Sequence, residues 1–371
     1  MPSDAVEAVW WLRYGWILLG GFVALLVVSV TIRRWGIRAL GLSIRPVEAE
    51  AELSGRRRRW DRFGRGLIRF LTNTALVVGT IAVALLLVAT FWPSVISPYD
   101  PDERGKRLQE INGQIRAAPF PPSTPYPIGT DLDGRDMLSR IIHGTKSTVM
   151  LVLSVALMRL AIGGTLGLIA GWRGGATGQQ ILSFAAVSSS IPSLLFAFIF
   201  ILAIGPQIGF GVFLLGLGLT GWAELTNVVN GAVRFVRSQP YIEGAEALGS
   251  STPQLFRKHL LPAIMPQLLP AIALEISAVM LMLGELGFLG VLLGERYIEI
   301  SIQMERASVR MPATPEWAAL LSGARLAIFQ WPWLSMGPAL AFLFAILSFN
   351  LLATGLRTWF DPYRARLFGG S

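Results

Sequence analysis

The chain has 371 residues, 53% hydrophobic and only 15% charged, against about 25% charged in ordinary soluble domains, which argues against a water-soluble fold. Its formal charge is +9, and in so apolar a chain the basic residues read as anchors at the cytoplasmic ends of membrane helices rather than as nucleic-acid contacts. Cysteine is absent, which excludes disulfides, thiolate metal sites and a cysteine nucleophile, and two histidines, His143 and His259, argue against a histidine-rich metal centre.

Seven stretches approach the roughly 20 apolar residues that cross a bilayer: 16–32, 71–92, 149–170, 182–204, 208–229, 264–293 and 333–352. The first has only Arg13 before it and Thr-Ile-Arg-Arg-Trp after Val30, not a small-residue cleavage site, so a retained helix is expected rather than a signal peptide. Between it and the second stretch lie Arg33, Arg34, Arg38, Arg45, the run Arg56–Arg59, Arg62, Arg65 and Arg69. Such a segment between two spans is expected to lie in the cytoplasm against anionic lipid. Alternation then places the N-terminus and the loops 93–148 and 294–332 outside, and 171–181, 230–263 and the C-terminal tail inside. The loop 93–148, polar and rich in Pro and Gly, is expected to be ordered and closed by a short amphipathic helix. No internal repeat is evident.

The inside segment YIEGAEALGSSTPQLFRKHLLPAIMP, 241–266, carries the most information. Tyr241 to Leu248 reads as a short helix on small residues, stopped by Gly249 at C′. Ser251 or Thr252 is expected to cap a second helix with Pro253 in its first turn, and Pro262 and Pro266 to break that helix at the membrane. Two short helices with one bare side fit a docking element and an ordinary helix–turn–helix connector equally well.

This segment resembles the EAA loop of ABC importer permeases: Glu-Ala-Ala, three residues, Gly, nine residues, then Ile-x-Leu-Pro. Glu243, Ala245, Gly249, Leu261 and Pro262 fall on that spacing, while Gly244 replaces the middle Ala and His259 the Ile. Residues 126–148 resemble the stretch before the second core helix of the dipeptide/oligopeptide/nickel branch, through Gly129, Thr130, Asp131, Gly134, Arg135, Asp136, Ser139 and Arg140, with Lys146 where Arg is usual. FNLLATGLRTWFDP (349–362) resembles the closing pattern of that branch, with Ala353-Thr354 for the usual Gly-Asp; TPEWAAL (314–320) and GFLG (287–290) also fit.

The resemblance covers about 71–363 and implies an all-α polytopic fold, the type I ABC importer transmembrane domain of six core helices, preceded here by one extra helix. It implies residues 1–70 as an added helix and Arg-rich segment, 71–148 as first core helix and outer loop, 149–356 as permease core and 357–371 as cytoplasmic tail. By the same resemblance Glu243, Gly244, Ala245, Gly249, Leu261 and Pro262 couple the chain to an ATPase. The implied partners are two ABC ATPases, a second homologous permease, an extracytoplasmic binding protein and the lipid bilayer of the bacterial inner membrane, with no nucleic acid. No cofactor is expected on this chain; ATP and Mg belong to the ATPases. Di- or oligopeptides are the expected cargo, with nickel chelates, opines and sugars open.

Charges within spans are costly and are functional candidates. Glu224 and Glu275 read first as interhelical pairs or span-end residues. Arg159 and Glu285, placed deeper, fit either a pair with each other or a lining of the pathway. Gly163, Gly164, Gly167 and Gly171 fit close helix packing. The chain has no G-x-x-x-x-G-K-[ST] phosphate loop and so is not itself an ATP-driven motor. An ion-coupled secondary transporter using Arg159 and Glu285, or an intramembrane enzyme, are the alternatives from other classes.

Overall fold

The computed structural model describes residues 69–361, apart from 104, 106–107, 112–113, 292, 294, 303–304, 313–314 and 326–328. The expected first span, 16–32, and the Arg-rich stretch as far as residue 68 lie outside the described residues, as does the tail from 362. Among the described residues, four helices are long and apolar enough to cross a membrane: α1 (Thr74–Phe91), α3 (Met137–Arg173), α10 (Leu261–Phe288) with the turns leading into it, and α12 (Pro332–Phe360). Two bent pairs raise the number to as many as six: α4 (Gly175–Ser189) with α5 (Ser193–Ile204), bent by 74°, and α6 (Phe210–Gly218) with α7 (Trp222–Arg237), bent by 49°. The chain is a polytopic helical membrane protein.

The breaks have local causes. Pro192 lacks an N–H and disfavours a helical residue before it, which separates α4 from α5. Gly221, at φ +71°, separates α6 from α7 in a conformation that other residues adopt only with strain.

Two expectations need correction. The loop 93–148 does not end in a separate amphipathic helix. Instead α3 begins at Met137, capped by the Asp136 carboxylate on the Ser139 N–H at 2.8 Å, and runs unbroken into the span. Its 37 residues make a rod of about 55 Å, longer than the ~30 Å hydrocarbon core, so its polar first turns stand outside. Two short hairpins outside the spans accompany the all-α membrane fold without altering it, β1 (Leu108–Ile111) with β2 (Gln114–Ala117), and β3 (Glu295–Ile302) with β4 (Glu305–Pro312). Finally, Pro262 and Pro266 do not break the helix entering the membrane. The helix runs on through Pro266 and Pro270, and the distortion falls upstream, in the π-turn Phe256–Leu260. A widened turn there accommodates the Pro262 ring, which would otherwise press on the carbonyl four residues back.

The described residues divide into two compact units, one of residues 69–81 together with 351–361, the other Ala82–Asn350. In the first, α1 and the end of α12 approach closely. A Cβ added at Gly79 would lie 2.4 Å from the Leu352 nitrogen, and one at Gly355 would lie 2.3 Å from the Leu76 Cα. Asn73 donates from Nδ2 to the Gly355 carbonyl at 2.8 Å and the Thr358 hydroxyl at 2.6 Å.

In the second unit α3 packs along α7 through a stripe of small residues. Added Cβ atoms at Gly163 and Gly167 would lie 2.3 Å and 2.7 Å from the carbonyl oxygens of Trp222 and Thr226, and one at Gly171 2.7 Å from the Val233 Cβ. Without water to expel, membrane helices associate through such close backbone approach. Gly164 is not part of the stripe; its nearest neighbour is Leu160 on its own helix, at 3.6 Å.

Candidate functional site

The 241–262 segment is a helical elbow. α8 (Pro240–Ala247) begins with a proline in its first turn and is held down by one residue. Ile242, 2% exposed, enters a cluster with Val229, Val233, Val236, Leu260 and Ile264. The other face is bare: Tyr241, Glu243, Gly244 and Glu246 are exposed, and Leu248 is 89% exposed. Gly249 at φ +83° terminates the helix. Its N–H donates to the Glu246 carbonyl at 2.9 Å, and the Ser250 N–H to the Ala245 carbonyl at 3.1 Å, a Schellman closure. Ser251 occupies the next cap position, but its side chain makes no capping hydrogen bond, and α9 (Thr252–Leu255) starts on its backbone carbonyl alone. No atom stands within 4 Å of a Cβ added at Gly244 or Gly249, and Leu261 and Pro262, at the start of α10, are also exposed. Glu243, Gly244, Ala245 and Gly249 thus share one short helix and its end, with open space over the glycines, while Leu261 and Pro262 begin α10.

The motif of residues 129–140 is a structural knot. Gly129 and Gly134 turn with φ of +83° and +78°, and Asp131 Oδ1 accepts from the N–H groups of Asp133 and Arg135, each at 2.9 Å. Asp131 also pairs with Arg140, which anchors the loop to the first turn of α3. Residues 315–320, PEWAAL, dock against the first turns of α3, at the start of α11 (Trp317–Arg325). The Trp317 indole donates to the Ile141 carbonyl at 2.8 Å, and the Pro315 carbonyl lies so close to Gly144 that a Cβ there would collide with it.

Glu316, between these contacts, is fully buried. Its Oε1 accepts from the Ala318 N–H at 3.2 Å, while Oε2 has no partner among the described residues. Burial raises its pKa from 4.5 to about 7, against the opposing pull of the Ala318 and Ala319 N–H groups. A carboxyl protonated in the fold loses stability as the unfolded chain's carboxyl ionises above pH ~4.5, and the loss is complete above pH ~7. Glu316→Gln is therefore expected to raise the unfolding temperature of the detergent-purified protein more at about pH 8 than at about pH 5. Equal shifts at the two pH values, or a fall at the higher, would contradict the assignment.

Inside the membrane region Arg159, 2% exposed, does not pair with Glu285. It pairs with Glu275, Nη1 to Oε1 at 2.5 Å. Its Nε and Nη2 donate to the Leu217 carbonyl at 2.9 and 2.8 Å, and Nη2 also reaches the Thr220 hydroxyl at 2.8 Å. Leu217 lies in the last turn of α6, and its carbonyl also accepts from the Thr220 hydroxyl at 2.7 Å. The planar guanidinium suits this two-sided task, with one edge on a carboxylate and the other on a helix end of negative partial charge. A Cβ at Gly221 would lie 2.4 Å from Nη1, so the glycine serves both the turn and the arginine. Thr220 and Gly221 escaped notice as site residues; the signal was a Gly-Leu-Thr-Gly run in an otherwise continuous apolar stretch.

Glu275 is thus an interhelical partner, as its first reading had it, and Glu224 is exposed in the first turn of α7. Glu285 is not deep in its span; it lies in the last turn of α10, which ends at Phe288. It lines a cavity of about 600 Å³ formed by α5, α10, α11 and α12.

Long apolar helices and two bent pairs, with an exposed elbow between α7 and α10, define a multi-pass membrane protein. The family described as binding-protein-dependent transport system inner membrane component matches residues 163–366, and the chain belongs to it. Over 89% of its length the chain is 28% identical to the glutathione transport system permease protein GsiD of Pectobacterium atrosepticum, covering 99% of that protein. It is 29% identical to the di/tripeptide transport system permease protein DppC of Pseudomonas aeruginosa (79% of this chain, 89% of that one). It is 26% identical to the nickel transport system permease protein NikC of Escherichia coli (80% and 95%). The family is one of transport permeases and not of enzymes, and the ion-coupled alternative loses its pair, because Arg159 is held by Glu275.

Proposed function

We propose that this chain is one of two homologous permease subunits of an ATP-driven importer of di- or oligopeptides, coupled to two ABC ATPases through residues 241–262. An extracytoplasmic binding protein delivers the substrate. ATP and Mg are held by the ATPases, and this chain carries no cofactor. The N-terminus lies outside and the C-terminus in the cytoplasm, as the Arg-rich 33–70 segment requires if it stays inside.

The observation that carries the reading is the elbow: one buried pin, Ile242, under a short helix whose outer face and terminal glycines stand clear. Glu243, Gly244, Ala245 and Gly249 seat in the ATPase, and Leu261 and Pro262 pass the displacement to α10. The relatives named for glutathione and di/tripeptide transport favour a peptide cargo.

A C-terminal affinity tag tests partners and topology together. In mild detergent the tagged chain is expected to bring down an ABC ATPase and a second permease, and the tag to react with antibody only in permeabilised cells. Recovery of the chain alone would count against the assembly, and labelling of intact cells against the topology.

A further inference from the structure

The two carboxylates of α10 meet opposite fates. Glu275 is buried and answered by Arg159. Glu285 is half-buried on the cavity wall, and among the described residues its side chain makes no hydrogen bond and no ion pair. The wall around it is apolar, with Met280, Phe288, Phe342 and Leu343. Its position in the helix adds to the cost. The last turn of a helix carries partial negative charge, which disfavours an acid, and α10 has no basic residue there to offset it. A carboxylate left in apolar surroundings at the unfavourable end of a helix needs a counter-charge that the described residues do not supply.

We propose that Glu285 is the subsite for the cationic amino group of the transported peptide, with the apolar wall receiving the adjoining side chain. An ammonium donates up to three hydrogen bonds, and its pairing with a carboxylate is stronger in an apolar cavity than in water. The cavity, about 600 Å³, falls in the usual range for small-molecule sites. In the topology proposed above, the Phe288 end of α10 faces outward, the side from which substrate arrives. The inference rests on the peptide reading given under Proposed function.

The test uses the complete importer in cells, with uptake of alanyl-alanine and of its N-acetyl derivative, which has no cation. The binding protein is common to all variants, so differences between variants report the permease. Glu285→Gln is expected to raise the KM for alanyl-alanine at least about tenfold at unchanged maximal rate and complex abundance, the tenfold step marking the loss of one ionic hydrogen bond. N-acetyl-alanyl-alanine should be unaffected, and Glu285→Asp should retain most of the discrimination. Wild-type kinetics in Glu285→Gln overturn the proposal. Equal loss of both peptides with failed assembly also overturns it, because the acid would then face the second permease. Failure of the wild-type importer to move either peptide refutes the peptide reading itself, and the inference with it.

Discussion

Gly249→Pro is expected to abolish uptake through the assembled importer while the subunit still inserts in the membrane. Gly249 adopts φ +83°, outside the range of proline, and its N–H closes the helix end on the Glu246 carbonyl at 2.9 Å. Proline removes the hydrogen bond and forces the backbone out of the left-handed region, so α8 loses its stop and the elbow its angle. Alanine keeps the N–H and bears only the strain of φ > 0, of the order of 1–2 kcal/mol, and should retain partial transport. Glu243→Arg supplies a control: the residue is exposed, so reversal of its charge leaves the fold intact while altering the surface offered to the ATPase. Uptake and substrate-stimulated ATPase activity are the measurements. Wild-type uptake in both Gly249→Pro and Glu243→Arg would remove the coupling assignment.

The elbow was legible because its signals are local. Small residues through the helix and a glycine at its end act within a few residues of one another, and the structure places Gly249 at C′ as expected. The apolar runs from residue 71 onward were legible for the same reason, four as long helices and two as bent pairs. What escaped depended on packing at a distance. The polar residues Arg140, His143 and Lys146 made the start of α3 look like a separate surface helix, yet nothing in the backbone interrupts the rod. Apolar residues continuing to Leu293 extended the last turn of α10 and carried Glu285 into the span. The helix in fact stops at Phe288, with Gly290 at φ +88° just beyond. Glu275 is in mid-helix, and only the fold could show which of the two acids faces Arg159.

Loss of Arg159 should be the most damaging single change within the spans. Arg159→Met leaves Glu275 buried without its ion-pair partner, and takes from the Leu217 carbonyl the two guanidinium donors, leaving it the Thr220 hydroxyl at 2.7 Å. Breaking a buried pair by removing one member costs about 3–5 kcal/mol, so the complex should be scarce and unfold well below the wild-type temperature. Glu275→Gln should be milder, since the amide oxygen still accepts from Nη1 and the guanidinium keeps Leu217 and Thr220. Arg159→Met combined with Glu275→Gln should lose less than the sum of the singles, with a coupling of about 0.5–3 kcal/mol, whereas Arg159→Met combined with Glu285→Gln should be additive. Thermal unfolding of the purified complexes measures both cycles. Additivity between positions 159 and 275 would show that the pair is not the bond holding α3 to α10. Coupling between 159 and 285 would restore the pairing that the structure replaces. If the first cycle couples and the second does not, Arg159 fixes the bent span to α10 and leaves Glu285 free for substrate.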